Sequence, residues 1–243
     1  MNIRGNIGTK GNQMRSTQLR LDQYDSDKIG NRYLEFYDPI LRPWLERRIV
    51  LLELGVHKGG SVLLWRDYFP LGTIVGIDID LPKGFKHTER IHLYEGSQGD
   101  TKFLSRVAKE TAPTGFDIII DDASHMGALT KIAFWHLFDN HLKPNGLYVI
   151  EDWGTGYCED WPDGRSLDLR EYARPASNQP PHYLKTPMPC HSYGLVGFVK
   201  QLVDEQAAHD VTRRVLQGTP ERQSKFESML ITPSIIFIKK SGV

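Results

Sequence analysis

Two apolar runs end in paired acids: Ile118-Ile-Ile-Asp-Asp-Ala-Ser-His125 and Leu147-Tyr-Val-Ile-Glu-Asp-Trp153. Runs without polar side chains suit strands buried on both faces, and each breaks into carboxylates where a parallel strand would leave its sheet. Open α/β sheets bind ligands at the carboxyl ends of their strands. Asp121, Asp122, His125, Glu151 and Asp152 are therefore expected around one pocket. Carboxylate oxygens suit a hard cation such as Mg²⁺, which keeps coordination positions for water or substrate. Two neighbouring substrate oxygens chelated there would give up a proton more readily. A histidine beside them can take that proton, a contribution on the order of 10²–10⁴ in rate. Structural roles compete: Asp121 or Ser124 can cap the next helix, and Asp152 can be a solvated turn residue. His57, His182 and His191 compete with His125 as base.

Such a pocket needs a sheet to position it. Strand signals at Ile49 to Leu54, Thr73 to Ile77, Ile91 to Tyr94, Phe116 to Ile120 and Leu147 to Ile150 alternate with helix signals at Val62 to Tyr68, Thr101 to Lys109 and Ala128 to Phe138. The alternation predicts an α/β fold: a Rossmann-like doubly wound sheet, mostly parallel, with helices on both faces. Lys143-Pro-Asn-Gly146 reads as a turn and Tyr193 to His209 as a helix. Phe226 to Ile231 and Ile235 to Lys239 read as a C-terminal antiparallel hairpin. Ahead of the sheet, residues 1–20 lack periodicity and read as a mobile arm. Residues 21–48 read as a helical segment in which Tyr33, Phe36, Tyr37 and Trp44 recur at helical spacing, with Pro39 and Pro43 as breaks. Residues 49–243 form the main domain, with a Pro-rich insertion at about 153–191. Its Trp153, Tyr157, Trp161, Tyr172 and Tyr183 favour a substrate lid over plain disorder.

The 30 basic and 30 acidic residues cancel, so no global field draws the chain to nucleic acid or an anionic membrane. No stretch approaches the roughly 20 apolar residues that span a bilayer. The N-terminus lacks a signal-peptide core, and a cytoplasmic protein is expected. Cys158 and Cys190 are too few and too isolated for a zinc site or a disulfide framework; they flank the least regular segment, where a pair is geometrically possible, but two free thiols are expected. Apolar surface on the N-terminal helices and the lid calls for a partner, which predicts a homo-oligomer.

Glu53-Leu-Gly-Val-His-Lys-Gly-Gly-Ser61 joins the first strand to its helix. Glycines there let the backbone turn and approach a ligand, and the helix start offers unpaired amides to an anion. A tight turn without a ligand uses the same glycines. His57 stands where the second glycine of a G-x-G-x-x-G fingerprint belongs, which disfavours a pyrophosphate cradle. Asp78 ends the second strand, where a carboxylate can accept both hydroxyls of an adenosine ribose; Asp80 competes for the role. Ser97 and Gln98 follow the third strand and can meet an adenine edge, unless Ser97 or Asp100 simply caps the next helix.

In order and spacing these pieces resemble a class I S-adenosylmethionine-dependent methyltransferase over Ile49 to Asp152, and again over the C-terminal helix and hairpin. The resemblance implies a cofactor site lined by Glu53, Gly55, Gly59, Ser61, Asp78, Ser97, Gln98 and Asp121. Glu53-Leu-Gly55, Ile120-Asp-Asp-Ala-Ser-His125 and Val149-Ile-Glu-Asp152 are more closely similar to the Mg-dependent O-methyltransferases of antibiotic biosynthesis. These act on sugar hydroxyls of macrolides and related natural products, and include relatives of the cephalosporin-pathway protein. The closer resemblance implies Asp122, Glu151 and Asp152 as Mg²⁺ ligands, His125 as general base and a hydroxylated acceptor, a sugar of a glycoside. One departure stands out: the macrolide enzymes carry a histidine after an Asp-Lys pair, where Asp27-Lys-Ile-Gly-Asn31 offers Asn31. The competing functions are a nicotinamide-dependent oxidoreductase and a non-catalytic cofactor-binding module of the same fold.

Overall fold

The computed structural model describes residues 14–85, 88–166, 191–214 and 221–242. Among the described residues seven strands form one sheet: β1 Val50–Leu54, β2 Thr73–Asp78, β3 Ile91–Glu95, β4 Phe116–Asp121, β5 Leu142–Glu151, β6 Phe226–Ile231 and β7 Ile235–Lys240. They lie in the order β3-β2-β1-β4-β5-β7-β6. β1 to β5 run parallel, while β7 is antiparallel to both β5 and β6. The doubly wound sheet and its closing hairpin are thus as the alternation predicts.

The helices are α1 Asp27–Gly30, α2 Leu34–Leu41, α3 Gly60–Tyr68, α4 Thr101–Thr111, α5 Gly127–Asn140, α6 Pro162–Arg165, α7 Gly194–Gln206 and α8 Ala208–Arg214. On one face of the sheet Leu52, Leu54, Ile119, Tyr148 and Ile150 pack with Leu104 and Val107 of α4, Phe134 and Phe138 of α5, and Leu195 and Phe198 of α7. On the other, Leu51, Ile118, Ile120, Leu147 and Val149 are covered by Tyr33, Tyr37 and Leu41 and by Val62, Trp65 and Tyr68 of α3. Side chains alternate between faces along a strand. The adjacent acids Asp121 and Asp122 are therefore separated. Asp121 meets Tyr148 on the first face, and Asp122 joins Glu53 and Glu151 beneath the N-terminal helices.

Several local expectations are revised. Pro39 lies inside α2 instead of ending it. Its missing N–H falls on the exposed side with Glu35, whose carbonyl water can satisfy. Lys143 to Gly146 does not precede β5 but bulges within it, between the Phe116–Leu142 and Ile118–Leu147 pairs, with Asn145 at φ 61°. The C-terminal helix breaks between Gln206 and Ala208 into α7 and α8. Within the stretch read as an arm, Arg15 Nε donates to the Tyr68 carbonyl at 3.0 Å, and buried Ser16 donates its N–H to Asp38 at 3.1 Å. Residues 1–13 lie outside the described residues.

So does most of the insertion read as a lid, residues 167–190, with Tyr172, His182, Tyr183 and Cys190. Its described beginning holds a 3₁₀ turn at Trp153–Tyr157 and then α6. There the buried Asp163 accepts from the Gly127 N–H at 2.8 Å and the Leu195 N–H at 2.7 Å, which ties the starts of α5 and α7 together. Among the described residues no helix is long and apolar enough to cross a membrane.

Candidate active site

The carboxyl edge of β1, β4 and β5 is held by close backbone packing. Gly55 leaves β1 at φ +92°, and a Cβ on it would lie 2.0 Å from the Asp122 carbonyl oxygen. The Asp122 N–H in turn donates to the Leu54 carbonyl at 2.9 Å. His57, His125 and Asp152, which follow β1, β4 and β5, have φ of 48°, 52° and 52°. Left-handed backbone costs an L-residue roughly 1–2 kcal/mol, and such strain collects at functional sites.

Asp122 Oδ1 lies 3.8 Å from His125 Nε2. One ligand atom each from Asp122, His125 and Asp152 fall within 4.8 Å of one another. An octahedral Mg²⁺ with bonds of about 2.1 Å spaces its ligand atoms about 3 to 4.2 Å apart, so small side-chain movements let Asp122 and Asp152 share one cation with His125 beside it. The donor chemistry fits a hard ion through the two carboxylates, since imidazole is a poorer Mg²⁺ ligand. His125 is 9 % exposed, and its ring stands edge-on to Trp161 with centroids 4.7 Å apart.

Behind these groups lies a second set of donors from the N-terminal helices. The fully buried Lys28 places its ammonium against Asp122 Oδ2, 3.1 Å from Glu151 Oε2 and 3.6 Å from Glu53 Oε1. Tyr37 donates its hydroxyl to Glu151 Oε1, and Tyr33 donates to Asp152 Oδ1. Glu151 therefore has both oxygens engaged and stands outside the group of three. Burial, reinforced by Asp122, pushes the Glu151 carboxyl well above its ordinary value against the pull of Lys28 and Tyr37. Burial likewise raises Glu53 to about 6 despite Lys28 and Ser61, and raises Asp152 despite the Tyr33 hydroxyl. Burial disfavours the Lys28 charge, but Asp122, Glu151 and Glu53 outweigh it and hold that ammonium well above its ordinary range.

The candidate cofactor residues have internal partners. Asp78 accepts from the Val56 and His57 N–H groups at 2.7 and 2.8 Å, fastening the glycine turn to the end of β2. Glu53 is fully buried and accepts from the Ser61 hydroxyl at 2.7 Å and the Trp65 indole at 3.0 Å. Gly59, at φ +85°, has the Phe85 ring in the space a Cβ would fill. Gln98 donates to Asp121 at 3.1 Å and accepts from the Ser124 N–H at 3.0 Å, which bridges the ends of β3 and β4. Burial lifts Asp121 to about 7 against hydrogen bonds from Tyr148 and Gln98. Asp100 caps α4 through the Lys102 and Phe103 amides, and the Ser97 hydroxyl accepts from the nearby Gly99 N–H at 3.1 Å.

Sequence reasoning overlooked Lys28, Tyr33, Tyr37 and Trp161. The tyrosines read as apolar packing because they recur at helical spacing; the hydroxyl on a buried helix face was the signal. Trp161 read as one of the aromatics favouring a substrate lid, with no contact to His125 assigned to it.

No family model matches the sequence. The chain is 36 % identical over 226 residues to the 8-demethyl-8-alpha-L-rhamnosyl tetracenomycin-C 2'-O-methyltransferase of Streptomyces olivaceus, across 90 % of this chain and 53 % of the relative. It is 39 % identical over 159 residues to the mycinamicin VI 2''-O-methyltransferase of Micromonospora griseorubida, across 61 % of this chain and 38 % of the relative. The structure superposes on the MycE methyltransferase of the mycinamycin biosynthetic pathway, solved in complex with Mg and SAH, with a TM-score of 0.65 and 29 % identity. That match covers 86 % of this chain and 49 % of the other. The fold is the class I methyltransferase fold. The chain spans about half the length, or less, of these curated relatives.

Proposed function

We propose that the chain is an S-adenosylmethionine-dependent, Mg²⁺-dependent O-methyltransferase acting on a sugar hydroxyl of a glycosylated natural product. The observation that carries this reading is the meeting of Asp122, His125 and Asp152 at the carboxyl edge of a methyltransferase sheet. Both named relatives are O-methyltransferases of glycosides or macrolides, which supports the acceptor class. Asp122 and Asp152 would hold the cation, with Glu151 as the third acid behind them. When bound, Mg²⁺ supplies a Lewis acid to substrate oxygens, and S-adenosylmethionine supplies the methyl group. His125 takes the acceptor proton on its ring nitrogen and is kept in orientation by the edge contact with Trp161. The Gly55 turn, Gly59, Asp78, Ser97, Gln98 and Asp121, backed by Glu53 and Ser61, form the cofactor side in this reading.

The oxidoreductase alternative loses ground on topology. The dinucleotide fold orders its strands 3-2-1-4-5-6, whereas here antiparallel β7 lies between β5 and β6. A cytoplasmic location belongs to the proposal. Self-association belongs to it as well. The N-terminal aromatics do not supply the surface for it, since Tyr33, Tyr37 and Trp44 are consumed in the core. Exposed Leu230 and Ile231 on the edge strand β6 supply it instead.

The test is calorimetric titration of S-adenosylhomocysteine into the protein with Mg²⁺ present or chelated, with NAD as control, followed by a screen of glycosides for methyl transfer. Binding of S-adenosylhomocysteine without NAD, and Mg²⁺-dependent methylation, are expected. Binding of NAD alone, or of neither, overturns the reading; cofactor binding without any metal binding would support the non-catalytic module.

A further inference from the structure

A lysine side chain with no exposure at all needs a reason to be there, because an ammonium taken out of water is costly unless it is matched by charge and hydrogen bonds. Lys28 is matched by three acids from three different strands: Glu53 in β1, Asp122 after β4 and Glu151 at the end of β5. The contacts are directional. The ammonium engages Oδ2 of Asp122, while Oδ1 of the same carboxylate is the oxygen nearest His125 Nε2. Tyr33 acts in the same sense on Asp152, engaging Oδ1. The segment from Asp27 to Leu41 therefore lays a shell of donors over these acids, of which Asp122 and Asp152 come together with His125.

Groups that hold metal-binding carboxylates from behind fix their orientation, and their loss weakens metal binding. We propose that Lys28 is a positioning residue for the cation site: by fixing one oxygen of Asp122 and one of Glu151, it presents Asp122 Oδ1 to the space shared with Asp152 and His125. This rests on the proposed metal reading. The sign of the effect separates it from the bland alternative. A lysine that merely filled the acid cluster would repel a second cation, and removing it would tighten metal binding. A lysine that orients Asp122 must, when removed, loosen it.

The experiment is calorimetric titration of Mn²⁺ into the full chain, for wild type and Lys28→Met, with S-adenosylhomocysteine titrated into both and folding checked by circular dichroism. Lys28→Met is expected to raise the Mn²⁺ dissociation constant about 10- to 100-fold while cofactor affinity stays at the wild-type level. Equal or tighter Mn²⁺ binding by Lys28→Met overturns the inference and leaves the metal reading standing. A wild-type protein that binds no Mn²⁺ overturns the metal reading, and the inference falls with it. A loss of S-adenosylhomocysteine binding in parallel with Mn²⁺ would mean general structural damage and also overturns it. Should Lys28→Met not fold, the charge-balanced Lys28→Met/Glu53→Gln is compared with Glu53→Gln alone, where the same fall in Mn²⁺ affinity is expected and its absence is again fatal.

Discussion

Replacing Asp121 with asparagine should stabilise the folded protein, and increasingly so as pH rises. Asp121 is 2 % exposed, and burial lifts its carboxyl from an ordinary 3.8 to about 7. Each tenfold change in an ionisation equilibrium is worth about 1.4 kcal/mol, so keeping this group in the fold at neutral pH costs about 4 kcal/mol relative to the unfolded chain. The sign follows from the raised value. Below about pH 4 the acid is protonated in both states and costs nothing; between pH 4 and 7 the unfolded chain ionises first and stability is lost; above about 7 the loss is complete. The amide introduced by Asp121→Asn would keep the shape and an acceptor for the Gln98 amide, now 3.1 Å from Asp121, without titrating. The assay is urea unfolding of metal-free protein, wild type against Asp121→Asn, at half-unit steps from pH 4 to 8. The advantage of the variant should grow across that range toward about 4 kcal/mol. A difference that is flat with pH, or a variant less stable than wild type at pH 8, would refute the reasoning and show that Tyr148 and Gln98 stabilise the ionised form.

Three further outcomes are expected. His125→Asn keeps a residue that tolerates the φ of 52°, so melting should stay near wild type. Turnover on an acceptor found by the glycoside screen should fall on the order of 10²–10⁴, and near-normal turnover would move the base elsewhere. Gly55→Ala forces a Cβ to 2.0 Å from the Asp122 carbonyl at a φ of +92°; S-adenosylhomocysteine binding should be lost in calorimetry, and wild-type affinity would show that the turn yields freely. Phe134→Ala empties a position with no exposure that is packed by Tyr148, Phe138 and Phe198. It should cost about 3–5 kcal/mol in urea unfolding, and a negligible loss would mean a loosely packed core.

Local signals carried the scaffold well. The strands were legible because apolar runs such as Ile118 to Ile120 have no other soluble use, and the turns between them carry glycine and acid punctuation. Errors came where one cue outweighed context. Pro39 looked like a helix break, yet α2 tolerates it on an exposed side. Lys143-Pro-Asn-Gly146 looked like a turn between elements, yet strand pairing resumes on both sides of it.

By itself the sequence determined which acids end which strands, because a strand's carboxyl end is set by where its own apolar run stops. Asp121 and Asp122, expected from the sequence around one pocket, are parted in the structure, because alternation along β4 sends neighbours to opposite faces. Only the tertiary structure decided what each acid meets. Lys28 reaches Asp122 and Glu151 across 94 and 123 residues of chain, and Tyr33 and Tyr37 reach theirs across 119 and 114. No periodicity within a segment encodes such partners. They exist because the N-terminal helices must cover an apolar sheet face, and covering it brings one ammonium and two phenols down onto the acids at its edge.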